Sequence, residues 1–110
     1  MKDAQEMMKS LLIISLFFIP SLSQAEFKGG NELKSSCNAT SSNVEQAICL
    51  GYVMAVADIY INKQICLPKN VTAGQAKDVV LKYLNGYPER LHFSADSLVL
   101  DSLKNTFPCR

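Results

Sequence analysis

Four cysteines and one histidine are the residues whose types would carry chemistry, so their spacing decides what chemistry is open to the chain. Cys37, Cys49, Cys66 and Cys109 lie far apart in sequence. No two form the close pair that a zinc ribbon, a Cys-x-x-Cys redox centre or a haem attachment requires. We therefore expect no metal site and no cofactor. A cysteine nucleophile would need a free thiol beside a base, and His92 is the only histidine that could serve. Four cysteines in a small exported chain read instead as two disulfides. No Gly-x-Ser-x-Gly, His-Glu-x-x-His, Ser-x-x-Lys or phosphate-binding glycine loop occurs. Glu89, Asp96 and Asp101 read as solvated charges, not as a hydrolytic pair. The expectation is a protein that is not an enzyme.

Export is read from the start of the chain. Lys9-Ser10 leads into Leu11-Leu12-Ile13-Ile14-Ser15-Leu16-Phe17-Phe18-Ile19, followed by Pro20 and the small-residue site Ser23-Gln24-Ala25. That is the order of a secretory signal peptide cleaved after Ala25. The apolar run is about nine residues, against roughly 20 for a membrane span, so an anchor is rejected. Met8-Lys9 makes a more natural basic start than Met1, which is followed by Asp3 and Glu6. The division expected is a signal peptide over 1–25 and a single helical, exported domain over 26–110.

After Ala25 there are nine Lys or Arg and eight Asp or Glu, a nearly neutral balance. It offers neither the basic footprint of a nucleic-acid binder nor a polybasic membrane patch. A domain of this size buries a limited core and usually needs staples.

The elements that must position these residues are all helical in pattern. The residues 26–30 read as a loose N-terminus with Gly29-Gly30 as a flexible joint, before a short helix over about 31–37 with Leu33 and Cys37 inward. The polar run over 38–43 reads as a loop, with Asn43 capping and Gln46 completing a capping box. A central helix over about 44–62 follows, its expected inner face being Val44, Ile48, Gly51, Tyr52, Ala55, Val56 and Ile59. Ala47, Gly51 and Ala55 form a small-residue stripe that would admit another helix backbone, and Asp58 falls nearly in line with it. On that reading Gly51 and Asp58 are structural, and Gly51→Leu destabilises the monomer.

Pro68 breaks the chain. A third helix begins at the capping box of Thr72 and Gln75, with Ala76, Val79, Val80, Tyr83, Leu84 and Tyr87 on its inward stripe and Lys77 and Lys82 outside. Asn85-Gly86, with Pro88 beyond, reads as a glycine C-terminal stop. Residues 86–93 join it to a fourth helix capped by Ser94 and ending near Thr106, with Leu98, Val99, Leu103 and Phe107 inward. No strand pattern is found. The fold class is all-α, a disulfide-stapled bundle of about four helices. Antiparallel neighbours then favour Cys37 with Cys49 and Cys66 with Cys109, the other two pairings remaining open.

Among the tyrosines Tyr87 is the one that would meet a partner, because it precedes Pro88 in a loop that must lie on the surface. His92 beside Phe93 reads first as a linker residue and second as a partner contact.

Cys49-Leu50-Gly51-Tyr52 with Asp58, Ile65-Cys66-Leu67-Pro68 with Val71-Thr72 and Gln75, Val79-Val80-x-Lys82-Tyr83-Leu84 with Pro88-Glu89, and Phe107-Pro108-Cys109 together resemble a known family. The chain is similar to the type VI secretion amidase-immunity proteins, also called the resistance-associated immunity family. The resemblance covers nearly all of residues 26–110. It implies a periplasmic helical protein, often dimeric, that binds a peptidoglycan amidase effector of the cysteine-peptidase type and blocks its active-site cleft. It also makes the loop after the third helix, with Tyr87, Pro88, Glu89, Arg90 and His92, the candidate inhibitory element. The alternative from another class is a small periplasmic stress chaperone or an adaptor domain with no inhibitory role.

Overall fold

The computed structural model describes residues 27–110, so the expected signal peptide and its cleavage site at Ala25 lie outside the described residues. Four α-helices follow one another: α1 over Gly30–Asn38, α2 over Asn43–Tyr60, α3 over Ala73–Gly86 and α4 over Ala95–Thr106, with a 3-10 turn at Pro88–Arg90. The all-α, disulfide-stapled bundle expected from the sequence is the fold observed. Each helix packs on the other three, around a core in which Leu33, Val53, Ile65, Val80, Leu84, Leu98 and Leu103 are fully buried. No helix among the described residues is long and apolar enough to cross a membrane.

Both favoured disulfides form. Cys37 joins Cys49, tying the end of α1 to α2, and Cys66 joins Cys109, tying the segment after α2 to the C-terminus. They close sequence separations of 12 and 43 residues, contributing about 3 and about 4 kcal/mol in the chain-entropy model. The second staple lies beside a short backbone pairing. Ile65 bridges Pro108, and the Cys66 N–H donates to the Phe107 carbonyl at 2.9 Å.

The capping box of α3 is present in both directions: the Gln75 N–H donates to Thr72 Oγ1 at 3.1 Å and the Thr72 N–H to Gln75 Oε1 at 2.9 Å. At α2 the cap is one residue earlier than expected. Ser42, not Asn43, stands in extended backbone and accepts from the Glu45 N–H. Gln46 is therefore released from capping. It donates to the Cys37 carbonyl at 3.1 Å and accepts from Lys77 Nζ at 3.2 Å, joining α1, α2 and α3. Lys77 is consequently half-buried, not outside.

The largest correction concerns the rotation of α2. Cys49, Val53, Val56 and Ala57 face the core, whereas Val44, Ala47, Ile48, Gly51, Ala55, Asp58 and Ile59 are exposed. Nothing lies within 4 Å of a Cβ placed on Gly51, so neither Gly51 nor Asp58 has the packed structural role read from the sequence. The reason is that α2 is apolar on nearly every side and carries few charges to mark an outer face. Its phase is set by the covalent bond at Cys49. The helix also ends at Tyr60, short of the expected Asn62, which takes the left-handed conformation at φ 62° that asparagine tolerates better than most residues.

Gly86 is the last residue of α3, not a left-handed stop after it; no glycine among the described residues has positive φ. The capping N–H is that of Tyr87, which donates to the Tyr83 carbonyl at 3.1 Å. Ser94 caps α4 by position only, its hydroxyl donating to Ser97 Oγ at 3.0 Å.

Gly29-Gly30 is the other correction, since it is a clamp and not a flexible joint. The Gly30 N–H donates to the Phe93 carbonyl at 2.9 Å, the Asn31 N–H to the Leu91 carbonyl at 3.1 Å, and the Ala95 N–H to the Lys28 carbonyl at 2.9 Å. A Cβ on Gly30 would stand 2.4 Å from Leu98 Cδ1 and 2.8 Å from the Leu91 carbonyl oxygen.

The two glycines give opposite expectations. Gly30→Ala destabilises by about 1–3 kcal/mol because backbone must shift, whereas Gly51→Ala stabilises by about 0.5–1 kcal/mol by raising helix propensity at an open site. Thermal unfolding of both variants checks this, and equal signs would contradict the geometry. The disulfides also differ in access: Cys37 and Cys49 are buried, while Cys66 and Cys109 are half-buried. Under limiting reductant, alkylation and mass mapping are expected to label Cys66 and Cys109 first.

Candidate partner-binding site

The loop expected to meet a partner is built from both of its ends. α3 delivers Tyr83 and Tyr87, Pro88 opens a 3-10 turn with its fixed φ, and Leu91 turns inward to 8 % exposure as an anchor. Beyond the anchor, His92, Phe93 and Ser94 are exposed, and Ala95 is buried at the start of α4. The Asn31 side chain holds the anchor by donating to the Leu91 carbonyl at 3.2 Å, beside the backbone bond from the same residue. The side chains of Pro88, Glu89, Arg90 and His92, with Tyr87 at 41 %, are left on the surface of a braced turn.

Tyr87 faces away from the core, and its ring meets that of Tyr83, centroids 4.7 Å apart and tilted by 43°. The Arg90 guanidinium lies 4.7 Å from the Tyr87 ring centroid and donates from Nη1 to Tyr83 Oη at 2.6 Å. The Tyr83 hydroxyl is the main reason that Arg90 stays protonated even more firmly than an ordinary arginine. The structure thus brings Tyr87, Pro88 and Arg90 together with Tyr83, which was read only as a core residue. Helical spacing could not show it, because α3 ends at Gly86 and Pro88 opens a separate turn before Arg90.

His92 stands apart from this cluster, its ring 4.3 Å from that of Phe93. Glu89 is exposed on the turn. Gly51 and Asp58 belong to the outer face of α2, outside this site. Cys37, Cys49, Cys66 and Cys109 are all bridged, leaving no free thiol, and no group of acidic, histidine or cysteine residues among the described residues is arranged to hold a metal.

Two surface grooves flank these features. One runs between α3 and α4 and is lined by Val79, Lys82, Tyr83, Gly86, Tyr87, Ser102, Asn105 and Thr106. The other lies by α2, with Phe27, Tyr52, Ala55, Ile59 and Asp96 at its edge. Burial, and then the Asp96 carboxylate, push the Tyr52 phenol above its ordinary value of 10.0, against the lowering effect of hydrogen bonding with the Asp96 backbone. Val44, Ile48 and Ile59 continue the apolar surface along α2, at 69 %, 40 % and 60 % exposure.

The family model described as Rap1a immunity proteins matches residues 29–109, which begins at the glycine clamp and ends at the second disulfide. No curated protein matches the chain. With the match covering almost the whole of the described domain, the chain belongs to the family of Rap1a immunity proteins.

Proposed function

We propose that this chain is a periplasmic immunity protein that binds a type VI secretion peptidoglycan amidase of the cysteine-peptidase type and inhibits it by occluding the active site. The observation that carries the reading is the turn over Tyr87–His92, exposed on one side and anchored by the buried Leu91 on the other. A turn already fixed by Pro88, by Leu91 and by the Asn31 bonds loses little conformational freedom when it enters a cleft. Inhibition of this kind needs no catalytic group, metal or cofactor in the inhibitor. Two disulfides suit an oxidising compartment, which supports the periplasmic reading.

A homodimer is part of the proposal. The outer face of α2, with Val44, Ile48, Gly51, Ala55 and Ile59, is not used inside the monomer and suits a second copy of the chain. Ile48→Glu is expected to leave the melting temperature near that of the parent and to reduce the mass in solution to that of one chain. A parent protein that already sediments as a monomer would remove the dimer from the reading.

The test of inhibition uses the oxidised protein and the amidase encoded beside it. Tight binding with loss of peptidoglycan hydrolysis is expected, and replacing both Glu89 and Arg90 by alanine should weaken it by about tenfold or more without unfolding the protein. Failure to bind the amidase, combined with protection of several unfolded clients, would instead favour the chaperone alternative.

A further inference from the structure

We propose that the groove between α3 and α4, with Arg90 standing at Tyr87 on its margin, is a receptor for a carboxylate side chain on an exposed acidic segment of a partner protein. The identity of that partner rests on the immunity reading above; the chemistry of the receptor rests on the groove itself.

Charge complementarity selects the occupant. Lys82 lines the groove together with Tyr83, Tyr87, Ser102, Asn105 and Thr106, and no carboxylate is among the lining residues. Arg90 adds a second cation. Its contact with Tyr83 uses one N–H of the five that a guanidinium carries, and the residue is exposed, so donors remain for a ligand. Of the groups that act on Arg90, Tyr83 has the strongest influence and Glu89 the weakest.

Preorganisation separates this arginine from an ordinary surface cation. A free arginine side chain loses rotamer freedom when it binds. Here the bond to Tyr83 Oη and the stack on Tyr87 have already fixed the plane of the guanidinium, and a planar fork with fixed orientation matches a carboxylate through two parallel hydrogen bonds. The Tyr83 hydroxyl accepts from Arg90, which leaves its own proton free to be donated. Lys82 and Tyr83 line the groove, and Arg90 is held against the lining residues Tyr83 and Tyr87. These donors fit an acidic side chain better than an apolar or basic one.

The test is a titration of the isotopically labelled, oxidised protein with the capped tripeptide Glu-Asp-Glu, followed by NMR and repeated with capped Gln-Asn-Gln. The acidic peptide is expected to shift the Arg90 side-chain Nε–H and the amides of Tyr83, Tyr87 and Asn105, weakening as salt rises, while the neutral peptide leaves them in place. Arg90→Gln should weaken binding by at least about tenfold, and Lys69→Gln, which removes an equal charge elsewhere on the surface, should not. Arg90→Lys keeps the charge without the planar fork and should fall between the two. Equal shifts with the neutral peptide, binding unchanged in Arg90→Gln, or full binding by Arg90→Lys would each overturn the proposal. If the amidase binds and Arg90→Gln leaves its affinity unchanged, this proposal fails and the immunity reading stands. If the acidic peptide binds as expected and the amidase does not, the immunity reading fails and the receptor stands.

Discussion

The close approach of Gly30 to Leu91 and Leu98 is the constraint on which the exposed part of the molecule depends. With no Cβ in the way, the backbone of residues 28–31 lies directly along residues 91–95 and exchanges hydrogen bonds with it. This contact places Leu91 in the core, and Leu91 in turn fixes how far the preceding turn can rise from the surface. A methyl group at Gly30 would press on Leu98 of α4 and on the Leu91 carbonyl at once, forcing the two segments apart. The exposed turn over Tyr87–His92 therefore takes its position from the far end of the domain. Proline and the α3 cap supply only its other end.

A domain with this small a core has limited means of keeping such a contact closed, and the disulfides supply the remainder. One bridge joins α1 to α2, so the helix that begins at Gly30 is attached covalently to the longest helix of the bundle. The polar groups that this arrangement buries are paired: Ser36 donates to Glu45 Oε2 at 2.6 Å and Ser102 to the Val99 carbonyl at 2.9 Å. No buried side-chain nitrogen or oxygen among the described residues lacks a partner. Burial without such partners would cost the free energy that the staples contribute.

Sequence reading succeeded where a local rule had one solution. Thr72 and Gln75 can only cap the helix that follows them, and of the three possible cysteine pairings the one favoured by neighbouring helix ends is the one formed. It failed where the deciding interaction was remote. The outer face of α2 looks as apolar as the inner one, so spacing could not tell them apart until Cys49 was bonded to Cys37. Gly29-Gly30 reads as flexible in isolation because the backbone that it approaches is some sixty residues further along the chain, as the separation between Asn31 and Leu91 shows. For the candidate site the loop was legible, since Pro88 and the polar residues around it must be at the surface. Tyr83 was not, because a tyrosine on an apolar stripe gives no sign that its hydroxyl will hold an arginine outside the core.

The corrected rotation of α2 changes what the surface can do. If Val44, Ile48, Gly51, Ala55 and Ile59 had packed inward, the bundle would present one functional region, the turn after α3. Because Cys49, Val53, Val56 and Ala57 take the inward positions instead, the molecule has two surfaces of different chemistry. One is apolar and nearly uncharged along α2. The other is cationic and aromatic at the junction of α3 and α4. An apolar helix face favours a lasting contact that buries area, whereas a fixed arginine at an open groove favours orientation and choice of partner. The two demands need not compete for the same residues, since Tyr83, Tyr87 and Arg90 are not on the outer face of α2. The bond from Cys49 to Cys37 and the burial of Val53, Val56 and Ala57 require the same phase of α2, and that phase leaves the apolar outer face open.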